Sequence, residues 1–191
     1  MKSARTALEN AGIRIPQEIY EQAAQRGRGF AQTNAQALLL ACAADYQGGR
    51  WTPASADVYV FDAEVIDIDR MYTDFFAGIQ AIIPDILFED VAEDLSGMTE
   101  EMTEPEDWSS PPTDGVRTVT FCCGVNEYSF TLESWGDFMN PAIVEHVNSV
   151  LENENCPGRL YSVFPDDDQM VALIYGTAER AQTVMRIVKT E

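Results

Sequence analysis

The spacing of apolar and polar positions in the first fifty residues is typical of three short helices. In the first, Ala4 and Leu8 lie one helical turn apart on the same face, and Gly12 stands where a C-terminal cap belongs. The second is expected to end at the glycines of positions 27 and 29. Thr33 is expected to cap the third helix, which runs through the nearly all-apolar residues 37–44 and stops at two further glycines. A helix that is apolar on nearly every side is predicted to be buried.

A strand, a helix and a second strand are predicted next. Residues 58–61 are β-branched or aromatic, which favours a strand. Asp67 is expected to cap a helix in which large apolar residues recur every three or four positions until Pro84. Residues 86–91 predict the second strand; the start of a helix is the alternative, because three apolar residues follow one another there.

The last third of the chain predicts two hairpins, each followed by a helix. Alternating apolar residues indicate strands at 119–123 and 128–132, a helix from Pro141, strands at 160–164 and 170–175, and a final helix capped by Thr177. Hairpins favour antiparallel pairing. The sequence therefore predicts an α+β fold: N-terminal helices, then an antiparallel or mixed sheet with C-terminal order β-β-α-β-β-α, and helices packed mainly on one face.

Residues 96–115 interrupt this pattern because they are acidic, rich in proline and poor in aliphatic side chains. They are either a long loop inside one sheet or a linker between two lobes. We expect a single α+β domain over residues 1–191, with 1–50 a helical N-terminal subregion and 96–115 an acidic, proline-rich loop. A split into 1–95 and 116–191 is the alternative.

Acidic and basic residues are distributed unevenly along the chain. The net charge is −20, with 12 basic and 32 acidic residues. Residues 1–50 carry six bases and four acids, residues 51–191 carry six bases and 28 acids, and eleven acids fall between positions 85 and 114 without one Lys or Arg. Such a surface repels nucleic acid and anionic lipid and attracts cations and basic proteins. We therefore expect no nucleic-acid or membrane partner.

The cysteine pattern and the lengths of the apolar runs predict the cellular compartment of the protein. No apolar run approaches the ~20 residues needed to cross a bilayer, and the N-terminal residues lack the apolar segment of a secretory signal. The four cysteines, at positions 42, 122, 123 and 156, form no C-x-x-C pair and are predicted to be reduced core thiols. A cytoplasmic location is expected. With His146 the only imidazole, a zinc site and a histidine-based mechanism are both disfavoured.

Four carboxylates within eight residues form the one candidate metal site: Asp62, Glu64, Asp67 and Asp69, at a predicted strand-to-helix junction. Oxygen ligands suit Mg²⁺, Mn²⁺ or Ca²⁺. Acids at a helix start are also favoured simply by capping and by the helix dipole, and the spacing matches no known calcium loop.

Two further features are candidate partner contacts. Trp108 is an aromatic residue inside the acidic, proline-rich loop, where it either anchors that loop to the protein or contacts a partner. The turn Asp166, Asp167 and Asp168 presents three consecutive carboxylates to a basic partner. The glycine-rich turn around Arg26 and Arg28 lacks the features of a phosphate-binding loop.

Charge and the missing catalytic motifs favour a non-enzymatic binding or regulatory protein that engages a basic protein partner. Immunity proteins and inhibitors that mimic nucleic-acid charge are of this class. One alternative is a small metal-dependent hydrolase that uses the Asp/Glu cluster, with a divalent cation as its only cofactor. Another is an oligomeric structural component that uses an open sheet face as its interface.

Overall fold

Six helices, two three-stranded antiparallel sheets and one two-stranded antiparallel sheet are present in the described part of the fold, which confirms the α+β class. The computed structural model describes residues 1–29, 31, 33–47, 50–65, 67–98, 115–164 and 169–191. In chain order the elements are α1 (Lys2–Asn10), α2 (Gln17–Arg26), α3 (Asn34–Leu40), β1 (Asp45–Gln47), β2 (Arg50–Thr52), β3 (Tyr59–Asp62), a 3₁₀ turn (Ile68–Arg70), α4 (Met71–Gln80), β4 (Glu89–Asp94), β5 (Val116–Cys123), β6 (Asn126–Glu133), α5 (Ala142–Asn153), β7 (Arg159–Ser162), β8 (Met170–Gly176) and α6 (Ala178–Thr190).

The first sheet has the order β3-β8-β7 and carries helices on both faces. Alternate residues of a strand point to opposite faces. Val60 and Ile174 accordingly pack with α1, α3 and α6, while Tyr59 and Leu173 pack with α4 and α5. Both faces are apolar because the central strand, β8, is a nearly continuous apolar run, which is typical of a strand buried on both sides.

The second sheet has the order β4-β5-β6 and is covered on one face, the arrangement that the sequence predicted for a single sheet. Val119 and Phe121 of β5 point inward and join the core formed by α4 and α5. The opposite face is polar, and its β6 side chains are exposed. A two-residue loop joins β5 to β6, and its first residue, Gly124, has φ +59°, the sign that a type II′ turn requires there.

A buried ion pair ties the second sheet to the start of α4. Arg117 lies on the inner face of β5, is 0% exposed, and stands 3.3 Å from the Glu93 carboxylate on β4. It also donates to the carbonyl of Ile68 and to the Ser134 hydroxyl. Burial raises the pKa of Glu93, although the backbone N–H of Thr73 and the Arg117 charge oppose that shift. Removing one partner of such a pair typically costs about 3–5 kcal/mol, because the other charge is left buried alone.

Both edges of the first sheet are closed. On β7, the Asn148 side chain donates to the carbonyl of Leu160 at 2.9 Å and accepts from its N–H at 2.7 Å, so one amide replaces a neighbouring strand. On β3, the N–H of Ala44 donates to the carbonyl of Val60 at 2.7 Å. Closed edges do not recruit further strands.

The predicted third helix is too long. It ends at Leu40, and residues 45–47 and 50–52 pair as the antiparallel strands β1 and β2. The apolar run continues past the end of the helix because Ala43 forms a parallel bridge with Val60 of β3. The last residues of the run therefore lie beside the sheet. The caps at Thr33 and Thr177 are confirmed, since each side chain accepts from a backbone N–H three residues on.

The start of α4 also differs from the prediction. Asp67 makes no capping hydrogen bond, and the 3₁₀ turn lies between it and the first residue of α4, Met71. The strand predicted at 86–91 is β4, shifted to Glu89–Asp94, and it pairs with β5. The strands before and after residues 96–115 thus belong to one sheet, and the division of the chain into domains stays a prediction.

Candidate functional site

A cavity of about 250 Å³ opens beside the end of the first sheet, between β3, the start of α4 and the first residue of β8. Its lining combines two kinds of side chain that rarely share a cavity. Carboxylates lie beside aromatic rings and methionines: Asp62, Glu64, Asp67, Asp74, Tyr59, Phe61, Phe75, Met71, Met139 and Met170. We call it the acidic cavity.

The backbone that carries the first two carboxylates is fixed from both sides. The N–H of Ala63 donates to the carbonyl of Gln169, and the carbonyl of Ala63 accepts from Met139. The N–H of Val65 donates to the carbonyl of Asp137 at 2.8 Å. Residues 63–65 are therefore held between two segments distant in sequence, which preorganises the side chains that they position.

Asp62 and Glu64 lie close to each other around one amide. The Gln169 side chain donates to the Asp62 carboxylate at 3.2 Å and to the Glu64 carboxylate at 3.4 Å. The other Asp62 oxygen accepts from the backbone N–H of Glu64 at 3.0 Å. Two carboxylates that share one neutral donor form a site that attracts a cation.

Asp74 is the most buried of the four carboxylates in the lining. Its side chain is 7% exposed and makes one hydrogen bond, from the half-exposed Arg70 one turn earlier at 3.2 Å. Burial raises its pKa, the Arg70 charge opposes that shift, and the charge on Asp67 adds to it. Burial and the charge on Asp74 also raise the pKa of Tyr59. A buried carboxylate with a raised pKa gains most from a further positive charge.

Three rings form one wall of the acidic cavity. Tyr59 and Phe61 stack with centroids 4.6 Å apart, and Phe75 meets Phe61 edge-on at 5.9 Å. Aromatic faces attract cations, most strongly where water is excluded. The cavity is smaller than the ~300–1,000 Å³ typical of sites for drug-sized ligands, but it exceeds the ~150 Å³ that holds a benzene molecule. It suits one cationic side chain or a small organic cation.

The predicted metal cluster is not assembled as a set. Asp62, Glu64 and Asp67 line the acidic cavity, whereas Asp69 is exposed in the 3₁₀ turn and does not. Across the described ranges, no group of three or more His, Cys, Asp or Glu side chains could hold a metal ion. The metal site stays a prediction that the positions of these side chains do not support.

The other candidate residues fall elsewhere. Trp108, Asp166, Asp167 and Asp168 lie outside the described residues, so their partner contacts stay predictions. His146 stacks on Phe130 with centroids 4.5 Å apart, on the inner side of β6. It lines a second, open groove of about 540 Å³ between the end of β6 and the start of α5.

All four cysteines are free thiols, three of them buried. Burial raises the pKa of the Cys42 thiol to about 12, which makes it unreactive at neutral pH. Cys122 is half-buried on the polar face of β5.

Sequence reasoning missed Asp74. It lies within the strongly apolar α4, three positions after Met71 and next to Phe75. A carboxylate at such a position is a signal in itself, because burying a charge costs free energy unless it is paired. What the sequence does not show is that the side chain faces a cavity.

Comparisons with known proteins identify no relative. No protein-family model matches the chain, and no curated protein and no solved structure shows significant similarity to it. None of the helices in the described ranges has the length and apolar character needed to cross a membrane.

Proposed function

We propose that this chain is a non-enzymatic binding protein that engages a basic protein partner, and that the acidic cavity receives a cationic side chain of that partner. One observation carries the proposal: Asp62, Glu64, Asp67 and the buried Asp74 share a small cavity with three aromatic rings. Carboxylates and ring faces both favour a positive charge, and the apolar walls favour the alkyl stem of Lys or Arg.

The chemistry of the lining favours binding over group transfer. Its ionisable groups, among the described residues, are four carboxylates and a buried tyrosine, with no serine, cysteine, lysine or imidazole beside them to act as a nucleophile. The charge of the chain supports the same class of partner, since residues 51–191 carry 28 acids and six bases. We further propose that the protein acts in the cytoplasm, where free cysteines stay reduced.

The test is titration calorimetry with four short peptides that differ at one central position: lysine, arginine, trimethyllysine or norleucine. Norleucine keeps the apolar stem of lysine and removes the charge. We expect the three cationic peptides to bind and the norleucine peptide to bind at least about tenfold more weakly, a difference of about 1.4 kcal/mol. The Asp62→Asn/Asp74→Asn variant should lose the same factor for the cationic peptides.

A matched control separates the cavity from general charge. The variant Asp69→Asn/Glu179→Gln removes the same two charges from exposed positions outside the lining. It should bind nearly as well as the wild type. Equal losses in the two double variants, or equal binding of the norleucine peptide, would refute the proposal.

A further inference from the structure

The outer edge of β6 carries a row of unpaired backbone groups. β6 closes the β5 hairpin through the pair Cys123 and Asn126, and in a two-residue hairpin this closing pair exchanges both of its hydrogen bonds. Bonded and non-bonded pairs alternate along an antiparallel ladder. Tyr128, Phe130 and Leu132 therefore direct their N–H and C=O groups to β5.

The intervening residues direct theirs away from the sheet. These are Glu127, Ser129, Thr131 and Glu133, whose side chains are all exposed. The Glu133 carbonyl accepts from the Asn140 side chain at 3.0 Å, which confirms the direction. Within the described ranges, the outward backbone groups of the other three residues have no hydrogen-bond partner.

This edge differs from the other edges of the two three-stranded sheets. Asn148 closes β7, Ala44 closes β3, and β4 is interrupted by a bulge at Asp90, whose φ is +52°. Bulges, coverage and very short strands are the usual protections of a sheet edge. β6 has eight residues, contains no proline and no lysine, and shows none of these protections.

The surroundings of β6 carry negative charge only. The second sheet and α5 together contain eight acids and one base. That base, Arg117, is fully buried and paired with Glu93. No exposed Lys or Arg therefore lies on these four elements, and Glu127 and Glu133 stand at the two ends of the free edge.

A groove runs beside the same edge. It is lined by Leu132 and Glu133 of β6, by Trp135, and by Glu145 and His146 of α5. A strand laid along β6 would direct alternate side chains to the inner side of the sheet, where those opposite residues 131–133 reach this groove, and the others onto the polar face of the sheet. The groove side offers apolar surface, and the sheet side offers Glu127 and Glu133.

We propose that β6 accepts an extended basic segment of a partner protein as a fourth, antiparallel strand of the second sheet. Backbone hydrogen bonds to Ser129 and Thr131 supply affinity, lysine or arginine side chains pair with the glutamates, and alternate apolar side chains enter the groove. The proposal rests on the proposed function only for the basic character of the partner. A second copy of the chain fits less well, because pairing all four outward residues would set Glu127 opposite Glu133.

The probe is an acetylated, amidated octapeptide that alternates lysine with valine, titrated by calorimetry. In the proposed geometry the lysines share the open face with Glu127 and Ser129, so the lysine N–H groups point to β6 and the valine N–H groups point to solvent. N-methylation of the lysines should weaken binding at least tenfold. N-methylation of the valines, with the same composition and charge, should change it less than threefold.

Protein variants test the same contact from the other side. Thr131→Pro removes an outward N–H without breaking a bond to β5 and should weaken peptide binding at least tenfold. Thr131→Val, which keeps the backbone, should not. Hydrogen exchange gives a readout without mutation: the peptide should slow exchange at Ser129 and Thr131 and leave Phe130 unchanged, because its N–H already bonds to β5.

Three results would overturn the proposal. The first is equal binding of the two N-methylated peptides, and the second is unchanged exchange at Ser129 and Thr131 in the saturated complex. The third is a dimer in sedimentation that Thr131→Pro dissociates, which would assign the edge to a second copy.

The Asp62→Asn/Asp74→Asn variant separates the two proposals. Retained octapeptide binding supports β6 as its site; lost binding, with Thr131→Pro unaffected, places the peptide in the acidic cavity and refutes only the edge proposal.

Discussion

At the scale of single residues, Asp74 shows how a local cost can mark a function. Its carboxylate is buried, has one partner, and has a pKa raised above its ordinary value of 3.8. The folded state therefore holds the Asp74 proton to higher pH than the unfolded chain does. The stability that this protonated form contributes is present below pH 3.8 and is lost as the pH rises through the folded-state pKa.

Replacing Asp74 by asparagine, which has the same shape and no charge, tests the direction of this pH dependence of stability. Asp74→Asn should raise the thermal midpoint at pH 7, since the cost of burying an ionised carboxylate disappears, while Arg70 loses only a half-exposed partner. The gain should shrink as the pH is lowered toward 4. Calorimetric scans between pH 4 and 7 provide the measurement, with Asp69→Asn as the exposed control. A midpoint that falls at pH 7 would show that the Arg70 pair outweighs the burial cost.

Two inward-facing charged residues explain why the site was only partly predictable. The sequence does show that Arg117 shares the parity of Val119 and Phe121 on β5, and that Asp74 adjoins the apolar residues of α4. It does not show that Glu93 arrives from another strand to pair with Arg117, or that three rings stand beside Asp74. Those facts depend on contacts between segments far apart in the chain.

At the scale of elements, a glycine in α4 fits the helix against the ring of Tyr59. A Cβ atom on Gly78 would lie 2.1 Å from that ring, which also walls the acidic cavity. In an open helix, Gly→Ala stabilises by about 1 kcal/mol. Here we expect Gly78→Ala to destabilise by about 1–3 kcal/mol, because the ring must move within a packed core.

A double-mutant cycle in urea measures that clash. In a Tyr59→Val background the same Gly78→Ala change should cost nothing or stabilise, because the ring is gone. An equal cost in the two backgrounds would contradict the packing argument. The single variant should also weaken binding of the lysine peptide, since displacing Tyr59 changes the cavity wall.

Elements with a local signal were predicted well, and those set by tertiary contact were not. Alternation placed both C-terminal hairpins, and threonine caps located the starts of α3 and α6. The run at residues 37–44 was read as helix throughout, because a short apolar run does not distinguish a buried helix from a segment beside a strand. The bridge between Ala43 and Val60 shows that the end of this run lies beside β3.

At the scale of the whole molecule, the net charge of −20 should lower the stability of the fold and strengthen the binding of cationic peptides. Like charges repel in the compact state, and salt screens them, with a Debye length near 8 Å at physiological ionic strength. Raising NaCl from about 20 to about 200 mM should therefore raise the thermal midpoint. The same change should weaken binding of the lysine peptide.

Low pH supplies the control for that prediction. Near the isoelectric point of about 4.1 the carboxylates lose much of their charge, so the effect of salt on the midpoint should become small. Scanning calorimetry at the two salt concentrations and at pH 4 and 7 measures it. A midpoint independent of salt at pH 7 would mean that the acids are spaced widely enough not to repel.

The side-chain amide of Asn148 affects how many sheet edges are free to pair with another copy of the chain. Asn148 bonds the outward backbone groups of Leu160 on β7, and β6 is the long edge of the described three-stranded sheets that has neither such a bond along its middle nor a bulge, so strand pairing between copies through β6 ends at a dimer. Loss of the amide would free a second edge on the other sheet. A molecule with two different free edges can join head to tail, which produces a ring where the rotation between copies closes and a filament where it does not. One half-buried asparagine thus separates a protein whose strand pairing ends at a dimer from one that can join further copies head to tail.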